Sequence, residues 1–265
     1  MDGDGCDEDF QEPFTFHFLP EARFRAFESP AVQAALTQWG FGDQAQQLAL
    51  YKFRVEQPVE DMSQQELQRF VAEFFCCRDV RGVLQSKGVY ASKPEKLKPE
   101  VVELSTQALN MQFFDKLEQA GLVSHTGHIK GRIEEDFEGI PLVNMIREAA
   151  FDEGSEIYDS FSESDRLEFL YRIFIHLNVG GASNQYEDHV ERYLEVTKCL
   201  IRDILSVKTA DSGEIVSTSR VLAIATLGED SVLFRKDHAS NFCYLIIDPS
   251  MRHVTLWHYG YVPFW

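Results

Sequence analysis

The sequence lacks the cysteine pattern and the long apolar runs that mark secreted and membrane-spanning proteins. Its five cysteines are an odd number without regular spacing, so a disulfide framework is not expected. No apolar stretch approaches the roughly 18 residues needed to span a bilayer. The first residues are acidic, whereas a secretory signal begins with positive charge. These absences predict a soluble protein in a reducing intracellular compartment.

Basic residues are also scarce. The chain has 25 Lys and Arg against 43 Asp and Glu, which gives a formal net charge of -18. Affinity for phosphate backbones and anionic lipids is built largely from Lys and Arg. We therefore expect neither nucleic acid nor membrane as a partner. Basic segments of other proteins are better matched to this charge.

The motifs of nucleotide-dependent and hydrolytic enzymes are missing too. The chain contains no GxxxxGK[ST] phosphate loop, no GxGxxG after a strand and no GxSxG elbow. We predict no catalytic residue and no cofactor. His125 and His128 come nearest to a metal site; hydrogen-bonded loop histidines are the favoured interpretation and zinc the alternative. For Cys76 and Cys77, core packing is favoured over redox chemistry.

What the chain does have is material for a core, with 44% hydrophobic and 12% aromatic residues. Residues 1–12 are rich in small and acidic side chains, which predicts a flexible tail. Residues 13–265 are predicted to form a single α+β domain. In it, central amphipathic helices pack on a mostly antiparallel sheet, and the C-terminal third is rich in strands.

Local patterns support this fold class. Ser63 and Glu66 form a capping box ahead of an apolar stripe, which predicts a helix. Phe242 to Asp248 and His253 to Tyr259 predict two strands joined by a tight turn. The segment from residue 79 to residue 98 is less periodic and predicts a surface loop or hairpin edge. Residues 101–104 fit either a strand or the first turn of a helix, and both alternatives stay open.

The segment from Phe161 to Val207 predicts a helical hairpin. Ser162 and Asp165 form a second capping box, and apolar residues recur at helical spacing as far as Leu177. Gly180 and Gly181 are predicted to end this helix and to let another backbone approach. A second amphipathic pattern begins near Tyr186. The polar cluster between the helices is predicted either to cap the second helix or to bind a partner.

Several motifs resemble the cilia- and flagella-associated protein 300 family: FSESDRLEFL, GGASNQYED, YLEVTKCLIRDILSV, FHFLP, STQALNMQFFDKL, GHI and FCYLIIDPSMRH. They cover most of the chain in the family's order. The resemblance implies a factor needed to assemble or deliver the outer and inner dynein arms of motile cilia or flagella. It implies residence in cytoplasm and axoneme, and partners among dynein assembly factors, dynein subunits or ciliary transport machinery. It implies no reaction.

We therefore predict a non-catalytic adaptor. The alternatives are a small metal- or cysteine-dependent enzyme that acts on assembly intermediates and a static axonemal component. The terminal YGYVPFW either docks on its own domain or anchors a partner. Arg252 lies in a predicted turn after Asp248 and is a secondary candidate for partner contact. The predicted partner-binding residues are Gly180, Gly181, Gln185, Tyr186, Glu187, Asp188, Arg252, Phe264 and Trp265.

Overall fold

The computed structural model describes residues 12–41, 48–86, 97–133, 135–181, 184–228, 233–234 and 236–261. Apart from Glu12, the predicted acidic tail lies outside these residues, as do Phe264 and Trp265. The α-helices are α1 (Pro30–Gln38), α2 (Gln64–Cys76), α3 (Arg78–Ser86), α4 (Lys116–Gln119), α5 (Met145–Phe151), α6 (Glu163–Arg166), α7 (Phe169–Val179) and α8 (Val190–Ile204). Short 3-10 helices span Met111–Asp115 and Tyr158–Ser160.

The strands are β1 (Phe16–Phe18), β2 (Leu48–Val55), β3 (Glu100–Leu104), β4 (Asp136–Phe137), β5 (Ile140–Pro141), β6 (Val207–Thr209), β7 (Ile215–Ser217), β8 (Arg220–Thr226), β9 (Phe242–Asp248) and β10 (His253–Tyr259). They form one six-stranded antiparallel sheet and two short hairpins. The sheet has the order β1-β2-β10-β9-β8-β3. The hairpin of β9 and β10, which the sequence predicted, lies at its centre. The α+β class, the antiparallel sheet and the strand-rich C-terminal third are thus confirmed.

Each face of the large sheet carries its own hydrophobic core. On one face, α2 packs its stripe of Leu67, Phe70 and Phe74 with the β10 residues Val254 and Leu256. On the other face, α1, α7 and α8 cover the centre of the sheet. The ring of Phe169 in α7, for example, lies 5.3 Å from Tyr244 in β9. Each strand contributes side chains to both cores, because successive side chains point to opposite faces of the sheet.

Some local predictions are confirmed and others are wrong. The capping box is present, with Ser63 N donating to Glu66 Oε2 at 2.8 Å and Glu66 N to Ser63 Oγ at 3.3 Å. The predicted loop after residue 78 instead contains α3, while residues 87–96 lie outside the described chain. Cys76 is exposed, contrary to the predicted core packing. It follows Phe74 by two residues, which places it about 200° around the helix from that buried ring.

The predicted helix from Ser162 to Leu177 is interrupted. Its capping box starts only the four-residue α6, and α7 begins anew at Phe169. Between them, Ser105 N donates to Leu167 O and Phe169 N donates to Ser105 O, both at 2.9 Å. The chain leaves the helical path here because its backbone pairs with the residue that follows β3. Residues 101–104, for which the sequence left a strand and a helical turn open, belong to the strand β3.

Within the described ranges, none of the helices combines the length and the apolar character that crossing a bilayer requires.

Candidate functional site

The described residues of the loop between α7 and α8 (180–181 and 184–189), here called the α7–α8 loop, pack closely on the end of α1. Gly180 has a φ of 67°. A Cβ on Gly180 would lie 2.5 Å from Trp39 O, and one on Gly181 would lie 2.1 Å from Gly40 O. Gly181 N donates to Trp39 O at 2.8 Å. The glycine pair thus ends α7 and lets another backbone approach, as predicted. Its predicted contact with a partner stays a prediction.

The polar residues of the α7–α8 loop are held by the same helix end. Trp39 Nε1 donates to Glu187 Oε1 at 3.1 Å, and Gln185 N donates to Gln38 O at 2.9 Å. Glu187 N donates to the Tyr193 hydroxyl at 3.2 Å. Capping of α8 by Glu187 or Asp188 is therefore wrong: the N-cap is His189, which makes no side-chain capping bond. The Glu187 carboxylate instead satisfies a buried indole donor.

The far end of the loop is tied to the segment that carries His128. Ile129 N donates to Asp188 O at 2.8 Å, and Val190 N donates to Gly127 O at 3.0 Å. The rings of His128 and His189 lie 5.5 Å apart. Among the described residues, no group of three His, Cys, Asp or Glu side chains is arranged to hold a metal ion. His125 and His128 are both exposed in this segment, and whether they bind metal stays a prediction.

A residue that the sequence did not single out, Arg147 in α5, holds the end of α7. Its side chain is only 1% exposed. Its guanidinium donates to Asn178 O at 2.6 Å, to Val179 O at 2.9 Å and to Pro141 O at 2.8 Å. Carbonyls at a helix C-terminus lack intrahelical donors and carry partial negative charge, so a cation there stabilises the helix end. No spacing in the sequence marks this role, because the partners lie about thirty residues apart.

Tyr186 lies over Arg147 and faces solvent on its other side. Its ring centroid is 4.4 Å from the guanidinium carbon, and the residue is 41% exposed. Gln185 and Asp188 beside it are also exposed. A crevice of about 150 Å³ adjoins the loop and is also lined by His238 and Tyr261, whose rings stack 3.8 Å apart. Gln185, Tyr186 and Asp188, here called the loop face, therefore form a polar and aromatic surface whose backbone is hydrogen-bonded to Gln38 and Ile129.

Arg252 lies at the opposite end of β10 from this loop. It precedes His253, whereas Gly181 lies beside Tyr259 at the other end, where an added Cβ would be 2.7 Å from the tyrosine hydroxyl. Seven strand residues span about 20 Å, so Arg252 and the loop face do not form one compact site. Arg252 has a φ of 51°, and its side chain donates to Glu56 O at 3.1 Å. These contacts support the hairpin turn.

The predicted Asp248 turn is present beside Arg252. Met251 N and the Ser250 hydroxyl donate to Asp248 Oδ1 at 3.1 and 2.7 Å. Burial acts to raise the pKa of this carboxyl, but hydrogen bonds from Ser206, Ser250 and Met251 outweigh it and hold the pKa below its usual value. The Asp248 carboxylate is therefore hydrogen-bonded to groups of the same chain.

Two groups, the Cys243 thiol and the His176 imidazole, are poorly suited to act as nucleophile or base. Burial raises the pKa of the Cys243 thiol well above its usual value. Burial, together with the nearby Arg172 cation, lowers the pKa of His176 to about 3. At neutral pH the thiol is protonated and the imidazole is a weak base, whereas a reactive cysteine needs the thiolate.

Comparison with known proteins gives the class of this chain. Curated relatives with similar sequences are proteins associated with cilia and flagella. One from Paramecium tetraurelia is 35% identical over 192 residues, covering 71% of this chain and 73% of the relative. One from Chlamydomonas reinhardtii is 30% identical over 250 residues, covering 91% and 95%. Both are named cilia- and flagella-associated protein 300.

The sequence profile of the family described as cilia- and flagella-associated protein 300 matches residues 13–259. The chain belongs to this family. Residues 131–149, where the sequence showed no family motif, lie inside the matched range and include Arg147. No solved structure matches the chain. Family membership supports a role associated with cilia and flagella.

Proposed function

We propose that this protein is a non-catalytic adaptor in the assembly of the outer and inner dynein arms of motile cilia and flagella. It acts in the cytoplasm and cilium by holding dynein subunits, other assembly factors or transport proteins. The observation that carries the proposal is the loop face. Its three residues, Gln185, Tyr186 and Asp188, are exposed. The backbone of the loop that carries them is hydrogen-bonded near both ends to other segments of the chain.

A surface supported by these hydrogen bonds is suited to binding a partner protein. Tyrosine contributes a large contact area and a polar hydroxyl, and it is enriched among residues that dominate protein interfaces. The loop loses little conformational entropy on binding because its backbone is already held. The net charge of -18 favours basic partner surfaces and disfavours direct binding to the acidic microtubule lattice.

The proposal is tested by disrupting the gene in a cell with motile cilia and counting dynein arms in axonemal cross-sections by electron microscopy. We expect shortened or missing outer and inner arms, and their return with the wild-type protein. Intact arms in the disrupted cells would overturn the proposed function.

Variants then test the loop face. The double variant Gln185→Ala, Tyr186→Ala, present at wild-type abundance, is expected not to restore the arms. Met251→Ala removes another exposed apolar side chain from the hairpin turn at the far end of β10 and is expected to restore them. Full rescue by the double variant would show that the loop face is not the binding site.

Extraction separates an adaptor from a static axonemal component. We expect most of the protein in the detergent-soluble fraction of cilia and in the cytoplasm. Protein that stays with the axoneme through high salt would contradict the adaptor proposal and favour the structural alternative.

A further inference from the structure

A second recessed surface lies where α7 meets the β8 and β3 edge of the sheet. It has a volume of about 530 Å³, and we call it the α7–sheet groove. Its floor includes Ala223 and Ala225 of β8, on the face that α7 and α8 cover nearer the centre of the sheet. Because these side chains are small, they do not fill the space beside α7, and a groove remains.

The rim of the groove is apolar and faces solvent. Val102 of β3 is 51% exposed and Leu167 is 41% exposed. Both line the groove, together with the exposed Ala225. Contiguous exposed apolar surface on a folded protein is typical of an interaction site. The two side chains are far apart in sequence, and the pairing of Ser105 with residues 167–169 brings them together.

The charge of the groove is opposite to that of the protein. The described residues that line it include Arg166 and Arg172, but no Asp or Glu. The Arg166 guanidinium donates to the carbonyls of Ala149, Ala150 and Tyr158 and to the Tyr171 hydroxyl, all of them neutral acceptors. The hydrogen bonds of Arg166 that the structure describes therefore go to neutral groups, although the whole chain carries a net charge of -18.

Arg172 is the cation that is available to a partner. Within the described part of the chain, it forms no ion pair, and its buried Nε has no hydrogen-bond acceptor. The carboxylate one turn earlier, that of Glu168, is occupied by the Ser105 hydroxyl and Ala108 N. A guanidinium that lines an apolar groove and has no ion pair among the described residues is complementary in charge to a carboxylate supplied by a bound segment.

We propose that the α7–sheet groove binds an acidic and apolar segment of a partner protein. An Asp or Glu carboxylate of that segment pairs with the Arg172 guanidinium, while neighbouring aliphatic or aromatic side chains lie on Val102, Leu167 and Ala225. The groove is separate from the loop face, and its cation Arg172 lies about 12 Å along α7 from Gly180. It is a second interface, with charge preference opposite to that of the protein as a whole, and it does not depend on the dynein assembly proposal.

The test begins with selection of peptides from a phage-displayed library of random 12-residue sequences on the purified full-length protein. We expect enriched sequences to combine Asp or Glu with Leu, Ile, Phe or Trp. A synthetic copy of the most enriched peptide is then titrated by fluorescence polarisation. Failure to enrich any sequence, or enrichment of sequences without acidic residues, would overturn the proposal.

Two variants locate the peptide. Arg172→Gln is expected to weaken its binding by about tenfold or more, since it removes a charge-assisted hydrogen bond. Arg202→Gln removes the same charge from an exposed position on α8 and is expected to leave binding unchanged. Val102→Asp places a like charge on the rim and is expected to weaken binding similarly. Its control, Val207→Asp, changes a valine of nearly equal exposure, 53% against 51%.

The variant Val102→Asp keeps the proposal testable if Arg172→Gln does not fold, because Val102 is half exposed on an edge strand. Wild-type affinity in Val102→Asp would overturn the proposal. Other occupants give distinct results. A smaller molecular mass for Arg172→Gln in light scattering would identify a second copy of the chain. Tighter peptide binding after removal of residues 1–11 would identify the chain's own acidic segment. Either result replaces the partner protein as occupant.

Discussion

The indole nitrogen of Trp39 donates a hydrogen bond to the carboxylate of Glu187 at 3.1 Å, across 148 residues of sequence. Trp39 is fully buried at the end of α1, and Glu187 lies in the α7–α8 loop. The bond satisfies the indole donor inside the core and fixes the loop next to Tyr186. The loop face is therefore positioned by the N-terminal part of the chain.

The first prediction concerns this bond. Glu187→Ala leaves the buried indole N–H without its acceptor, which is expected to lower the free energy of unfolding by about 1–3 kcal/mol. Glu187→Gln keeps an acceptor oxygen and is expected to cost less. Both are measured by urea unfolding, with Asp188→Ala as an exposed control within about 0.5 kcal/mol of wild type. Equal stability of Glu187→Ala and the control would contradict the role given to the bond.

The second prediction concerns Arg147. Arg147→Met keeps much of the side-chain volume but removes the donors to Asn178 O, Val179 O and Pro141 O. Because hydrogen bonds from charged donors contribute about 1.5–3 kcal/mol each, we expect a loss of at least about 3 kcal/mol. Thermal and urea unfolding measure it. Arg202→Met, at an exposed position, is expected to stay near wild type, and similar stability of the two variants would argue against Arg147 as the support of the α7 end.

The third prediction compares two glycines. Gly181→Ala would place Cβ 2.1 Å from Gly40 O, so backbone must move, and we expect a loss of about 1–3 kcal/mol. Gly82→Ala lies in α3 with no atom within 4 Å of the added Cβ. Alanine is the better helix former, so a gain of about 0.5–1 kcal/mol is expected there. If Gly181→Ala and Gly82→Ala shift the unfolding midpoint equally, close packing is not the reason that a glycine is needed at position 181.

The fourth prediction is a pH dependence of stability. Burial, with a contribution from Arg172, lowers the pKa of His176 to about 3, below its ordinary value near 6.5. The unfolded chain therefore binds this proton more readily, and the stability contribution of neutral His176 is present above pH 6.5 and is lost as pH falls from about 6.5 towards 3. The neutral ring also bonds the Tyr244 hydroxyl at 2.6 Å.

The variant His176→Gln separates this effect from the titration of carboxylates. We expect the unfolding free energy of the wild type to fall by about 2 kcal/mol more than that of the variant between pH 7 and pH 5, since one pKa unit corresponds to about 1.4 kcal/mol. Parallel urea unfolding series at each pH measure the difference. Identical slopes for the two proteins would mean that His176 does not carry the dependence.

Sequence patterns succeeded where the deciding contacts are local. The capping box of Ser63 and Glu66 joins residues three apart, so the residues that start α2 can be identified without knowing its neighbours. The turn between β9 and β10 depends on Asp248 and the residues directly after it. The glycine at position 180 adopts the positive φ expected at a helix end.

The same approach failed where distant residues compete for a local pattern. The capping box at Ser162 and the apolar spacing as far as Leu177 predicted one helix, but pairing with Ser105 interrupts it at Leu167. Glu187 is acidic, as expected near a helix start, but its carboxylate accepts a hydrogen bond from the Trp39 indole. In each case, a backbone or side-chain donor far along the chain offers a better hydrogen bond than the local alternative.

The sequence by itself determined the fold class, the positions of most helices and strands, the acidic character and the family, because these follow from side-chain periodicity, composition and motifs within short segments. Only the tertiary structure decided how the loop face is supported, that Arg147 holds the end of α7, and that an apolar groove lined by two arginines lies beside the sheet. These features join residues tens to more than a hundred positions apart, and their energies arise from burial and pairing that exist only after the chain has packed.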